Sequence, residues 1–206
     1  SGSVTASTFA ESSFDYPWGR LFQGIRKTNY FLANIETAEA NLTDDEKAGM
    51  EAQARTLRAL YYLQLIKRYG GVPIISEPVG TDHDYSQDER ASFSEVVQFI
   101  IDDCNEALTA PDTQDGFSWE IYNNQYGIMT RAVAYAIKSQ AVTYAASSLW
   151  SDGTYTWADA TEINKEALYQ CLTHDYELYD VEPPSNVAQN AYAAYFLRNS
   201  NDQRAT

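Results

Sequence analysis

Gln53 to Pro73 reads QARTLRALYYLQLIKRYGGVP. Met50, Ala54, Leu57, Tyr61 and Leu65 recur at the spacing that lines one face of a helix. Ala59, Tyr62, Ile66 and Tyr69 line a second face, so this helix is expected to be covered on more than one side. It stops at Gly70-Gly71, because a residue without Cβ reaches positive φ at little cost. Val72-Pro73-Ile74-Ile75 then runs extended, since proline pushes the residue before it out of the helical region. The rest of the apolar pattern describes helices stacked against this one.

Upstream, Asp15 is a candidate cap and Pro17 fits a first helical turn. Trp18, Leu21, Phe22, Ile25, Leu32 and Ile35 then predict an amphipathic helix to about Ala38. Asn41-Leu42 turns the chain, and Thr43-Asp-Asp-Glu46 is a capping box that starts the long helix. Downstream, residues 76 to 91 are polar and turn-rich. Ser92-Phe-Ser-Glu95 is a second capping box, followed by Phe93, Val96, Val97, Ile100, Ile101, Cys104 and Leu108 at helical spacing. Residues 110 to 128 show no period, and a loop of that length in a compact domain carries function or disorder.

A helix from about Thr130 to Trp150 follows, with Ala132, Ala136, Ser139, Thr143 and Ala146 as a ridge of small side chains that lets backbones approach. Thr156 to Asp159 caps a further helix with Ala160, Ile163, Ala167, Leu168 and Cys171 inward. Tyr176 to Tyr179 reads as extended, Pro183-Pro184 as a break, and Ala191 to Leu197 as a short last helix. Three antiparallel pairs thus begin near Pro17, Ser92 and Trp157, without the strict period of about thirty-four residues of tetratricopeptide repeats. The prediction is an all-α fold of antiparallel helix pairs stacked as a tetratricopeptide-like α-solenoid with long irregular loops, in one domain over residues 1–206.

Gln53-Ala-Arg-Thr-Leu-Arg-Ala59, Tyr61-Tyr62, Leu65 and Arg68-Tyr-Gly-Gly-Val-Pro73 resemble the signature of the SusD/RagB family. The segment Gly24 to Leu32, with Asn29-Tyr30, resembles the stretch just upstream of that signature. A second block, Gly127, Thr130-Arg131-Ala132, Ala134, Ala136-Ile137-Lys138 and Tyr144 to Ser147, follows in the family's order. Gln53 stands where the family usually has glutamate, and Thr56 where an aromatic is common. The resemblance implies a nutrient-binding lipoprotein of the Bacteroidetes outer membrane, exposed at the cell surface. It implies an oligosaccharide or peptide ligand and a SusC-like TonB-dependent transporter as partner. It further implies that this chain is an internal piece of a longer protein, with the lipid-anchoring cysteine and a larger C-terminal part outside it.

Composition excludes more than it names. The chain has 206 residues and a formal net charge of −15, from 29 acidic and 14 basic side chains. Such an acidic surface repels phosphate backbones and disfavours direct docking on anionic lipid, so nucleic acid is not an expected partner. The resemblance implies that a membrane would be met only through a lipid anchor. No stretch is apolar enough for a membrane span. Cys104 and Cys171 fall on the apolar sides of their helices and read as buried thiols, without metal-type spacing. The sequence carries no nucleophile elbow, no HExxH and no phosphate-cradling loop. His83 and His174 read as surface residues. The carboxylates at Asp44-Asp45-Glu46, Asp102-Asp103 and Asp112/Asp115 read as caps or solvated faces. No catalytic residue, metal ligand or cofactor is therefore expected. Arg55 and Arg58 read as ion-pair anchors between helices.

The aperiodic loop is the candidate ligand contact. Trp119, Tyr122, Asn123, Asn124 and Tyr126, with Phe117, Asp115, Glu120 and Gln125, mix flat rings with planar polar groups. That mixture matches a sugar's apolar C–H face and its hydroxyl edge. The competing reading is that these aromatics anchor the loop onto the helices. Trp150, Tyr155 and Trp157 repeat the composition at the next helix junction.

Overall fold

The structure is a computed structural model that describes residues 17–37, 41–80, 82–122 and 127–178. Among the described residues every regular element is helical: α1 (Pro17–Asn34), α2 (Asp44–Tyr69), α3 (Phe93–Ala107), α4 (Arg131–Ala146) and α5 (Trp157–Thr173), with one 3-10 turn at Tyr85–Gln87. The chain divides into two compact units, Ser1–Ala167 and Leu168–Thr206, and the division falls inside α5. The last predicted helix, Ala191 to Leu197, lies outside the described residues.

The helix starts follow the chemistry of their caps. Thr43 Oγ1 accepts the Glu46 N–H at 3.2 Å while the Glu46 carboxylate accepts the Thr43 N–H at 2.7 Å. Ser92 and Glu95 repeat this reciprocal pair at the start of α3, and Thr156 with Asp159 at the start of α5. Gly70 closes α2 at φ 71°, where its N–H reaches the Ile66 carbonyl at 3.1 Å. Gly71 is needed for a different reason: a Cβ there would sit 2.1 Å from the Ala91 carbonyl oxygen.

Two ends fall earlier than the periodicity predicts. α1 stops at Asn34 and turns through residues 35–37, with the Asn34 amide folded back onto the Tyr30 carbonyl at 2.7 Å. α4 stops at Ala146 because Ser147 swings to ψ 147°, which releases Trp150 to stack on Phe93 at 4.8 Å and 8°.

The core of the first unit lies between α2 and α3, with α1 and α4 packed on either side. Tyr62, Leu65 and Ile66 of α2 meet Val96, Val97 and Ile100 of α3, all fully buried. Of the predicted small-residue ridge, Ser139, Thr143 and Ala146 face α5, where Asn164 bonds both hydroxyls, whereas Ala136 is exposed. Cys104 is buried as expected, and Cys171 is only half-buried.

A polar clamp crosses this core. Arg58 Nε and Nη2 donate to both carboxylate oxygens of Asp103 at 2.8 and 2.6 Å. Its Nη1 donates to Asn29 Oδ1 at 2.8 Å and to the Ser76 carbonyl at 3.0 Å. Asn29 in turn donates to the Ile75 and Glu77 carbonyls. One guanidinium thereby ties α1, α2, α3 and the extended 72–77 segment together, the anchoring role expected of Arg58. The expectation that Asp102 and Asp103 both lie on a solvated face fails for Asp103, which is 3% exposed. A buried carboxylate is tolerated here because a planar, five-donor partner satisfies it.

Candidate functional site

The aperiodic loop after α3 is held by Arg131, the first residue of α4. Its Nε donates to the Phe117 carbonyl at 2.7 Å and its Nη1 to the Leu108 carbonyl at 3.0 Å, while Nη2 donates to the Ala110 carbonyl. Phe117 is fully buried and its N–H returns to the Pro111 carbonyl at 2.8 Å, so residues 111–117 form a closed ring of chain. The ring rests on α2 at Gly49, where a Cβ would lie 2.5 Å from the Gly116 carbonyl oxygen. Thr113 adds a hydroxyl bond of 3.1 Å to Asp45.

This seating leaves a cleft of about 220 Å³ between the start of α2 and the loop. Glu46, Met50 and Gln53 line it from α2; Gln114, Asp115, Ser118, Glu120 and Tyr122 line it from the loop, and Ile128 and Met129 add apolar surface. The volume is below the roughly 300–1,000 Å³ that encloses a drug-sized ligand. Among the described residues the lining carries three carboxylates, two side-chain amides and one phenol, and no cationic side chain. The Thr43 backbone N–H, then its hydroxyl, holds the Glu46 carboxyl below the usual carboxylate range.

The sequence-predicted residues separate on this frame. Tyr122 is half-buried on the cleft. Trp119 is 6% exposed and stacks on Tyr135 of α4 at 5.5 Å and 11°, turned into the fold rather than onto the cleft. Asn123, Asn124 and Tyr126 lie outside the described residues. At the second aromatic junction Trp150 is stacked on Phe93, and Tyr155 donates to Gln98 Oε1 at 2.6 Å, while Trp157 stays 61% exposed.

Sequence reasoning did not find Glu46, Met50, Gln53 and Gln114 as one surface. A signal was present: Gly49 interrupts an otherwise strong helical pattern, and a lone helical glycine marks close approach by another backbone. Met50, assigned to an apolar face, is 39% exposed beside it.

A larger and mostly apolar cleft of about 460 Å³ lies between α1 and the 73–88 segment. Trp18, Phe22, Ile25, Pro73, Ile75, Val79 and Tyr85 wall it, and Gln23, Arg26 and Asp88 add polar groups. His83, read as solvated, is half-buried here and meets both Asp88 oxygens at 3.0 Å. Among the described residues no group of side chains is arranged to hold a metal ion, and no helix is long and apolar enough to cross a membrane.

A family model for SusD-like proteins, described as starch-binding and associating with the outer membrane, matches residues 5–141. The chain belongs to the SusD-like family. No curated protein matches the sequence. A solved SusD-like protein from Bacteroides fragilis shares the fold at TM-score 0.69 and 24% identity, over 89% of this chain and 31% of that one. A SusD-like carbohydrate-binding protein from Bacteroides vulgatus aligns at TM-score 0.62 and 22% identity, over 83% and 33%. A laminarin-binding SusD-like protein aligns at TM-score 0.52 and 27% identity, over 62% and 26%. The chain therefore spans a third or less of these relatives' length.

Proposed function

We propose that the chain is the helical part of a non-catalytic glycan-binding protein at the bacterial outer surface, which hands oligosaccharide to a SusC-like TonB-dependent transporter. Membership of the SusD-like family carries this reading. The polar cleft supports it: carboxylates and amides beside Tyr122 match the hydroxyl edge and apolar face of a sugar. Binding and release need only hydrogen bonds and stacking, so no covalent step enters the function. In this reading Tyr122 is the contact residue, with the planar groups of Gln53, Gln114 and Glu120 around it, and Asn123, Asn124 and Tyr126 complete the same loop.

The apolar walls of the larger cleft favour one competing reading, a scaffold that captures peptide instead of sugar. Calorimetric titration with laminarin, starch and xylan oligosaccharides and with a mixed peptide library separates the two. Tyr122→Ala is expected to weaken the bound glycan about tenfold, the equivalent of roughly 1.4 kcal/mol. A glycan whose affinity ignores Tyr122→Ala moves the site off this cleft; peptide binding without any glycan binding replaces the function.

A further inference from the structure

We propose that the cleft between α2 and residues 114–122 sorts glycans by charge, accepting neutral and amine-bearing sugars and rejecting uronic-acid and sulfated ones. The inference rests on the carbohydrate-binding reading and concerns the same site.

Glu46, Asp115 and Glu120 place three carboxylates around one small cleft, and the polar groups between them, Gln53, Gln114 and Tyr122, are neutral. Glu46 is fixed in its ionised form by geometry, since one of its oxygens takes both the N–H and the hydroxyl of Thr43 at 2.7 and 3.0 Å. The cation that organises the loop offers no relief. Arg131 spends its guanidinium on the carbonyls of Leu108, Ala110 and Phe117, with Asp112 at 3.7 Å as its remaining acidic neighbour. An acidic sugar entering the cleft would meet carboxylates and, among the described lining residues, no cationic side chain to offset them. A neutral sugar meets acceptors for its hydroxyl protons and amides that both donate and accept. An amino sugar gains charge-assisted bonds to the same carboxylates. The net charge of −15 adds a long-range field of the same sign, which slows encounter with polyanions.

The test is a titration of the whole chain with two sets of probes. The neutral set is laminarin, starch and xylan oligosaccharides; the acidic set is oligogalacturonate, alginate oligosaccharides and chondroitin sulfate. Wild type is expected to bind a neutral probe and to bind every acidic probe at least about tenfold more weakly. Asp115→Asn/Glu120→Gln is expected to raise affinity for acidic probes about tenfold. The exposed pair Glu106→Gln/Glu162→Gln, which removes the same charge away from the cleft, is expected to raise it less than about twofold, as screening of distant charges requires. Wild type preferring an acidic probe, or the distant pair matching the cleft pair, overturns the charge selection and leaves sugar binding standing. No glycan of either set binding wild type overturns the carbohydrate function itself, and the selection with it.

Discussion

Asp102 and Asp103 are sequence neighbours with opposite environments, and the α3 register explains why. Val96, Ile100, Asp103 and Ala107 follow one another by four, three and four residues, so Asp103 sits on the buried stripe. Asp102 points outward and accepts the Gln98 amide at 2.8 Å. Removing one member of a buried ion pair strands the other, which costs about 3–5 kcal/mol, whereas an exposed carboxylate contributes within about 0.5 kcal/mol. Asp103→Ala is therefore expected to lower the urea midpoint sharply and Asp102→Ala hardly at all. Equal effects would mean that Arg58 finds another partner. Tyr62 gives a second residue-scale test. Burial pushes its phenol up to about 12, against the partly opposing hydrogen bond with the Ile75 backbone. An unfolded tyrosine titrates near 10, so between about pH 10 and 12 the unfolded chain binds fewer protons and stability falls as pH rises. The contribution is fully present below pH 10. Tyr62→Phe is expected to flatten this alkaline fall in melting temperature; an unchanged slope would assign the fall to other groups.

At the scale of elements, the helices were legible because their signals are local. Capping boxes at Thr43 and Ser92, the Gly70 stop and the apolar periodicity act within a few residues. The two boxes and the stop hold in the structure, whereas the periodicity overran two helix ends and turned Met50 and Leu168 inward where both are exposed. The Arg58–Asp103 pair spans 45 residues, so the sequence marked only one half of it, the Arg58 anchor, and its carboxylate read as solvated. The cleft was half legible for the same reason. Tyr122 stood out by composition, but its opposite wall comes from α2, which the loop meets at Gly49 and through the Thr113–Asp45 bond while Arg131 of α4 holds it from the other side. Gly49 turns this into a prediction. Alanine would add up to about 1 kcal/mol of helix propensity. Its Cβ would also press on the Gly116 and Asp115 carbonyls at 2.5 and 2.7 Å, and forced overpacking of this kind costs about 1–3 kcal/mol. The clash is backbone on backbone, so no side chain can rotate away. Gly49→Ala is expected to lower the melting temperature and to weaken ligand binding together, since the displaced carbonyls belong to the cleft wall. A variant that is stabilised with binding intact would show that the loop does not need this seat.

At the scale of the molecule, the charge balance decides how stability responds to pH and salt. A net charge of −15 repels itself, and at about 10 mM salt, with a Debye length near 30 Å, that repulsion is felt across the whole protein. At about 150 mM the length falls to about 8 Å and distant pairs are screened. Melting temperature at neutral pH is thus expected to rise with salt. Lowering the pH toward the sequence isoelectric point of about 4.3 relieves the same repulsion, so at low salt stability first rises on acidification. Below that point the capping carboxylates act with the opposite sign. Hydrogen bonds to their cap hydroxyls and backbone N–H groups hold Glu46, Glu95 and Asp159 below the usual carboxylate range, and the Ser94 hydroxyl, then the Thr154 N–H, pull Asp152 down to about 2. A group whose folded value is depressed stabilises above its unfolded value and loses that contribution as pH falls through the folded one. The low-salt profile should therefore peak near pH 5 and drop steeply below about pH 4. At high salt the rise toward the peak should flatten while the acid drop persists, because hydrogen bonds at helix starts are not screened as distant charges are. A low-salt profile that falls steadily from pH 7 would mean that local caps and ion pairs outweigh the global repulsion throughout.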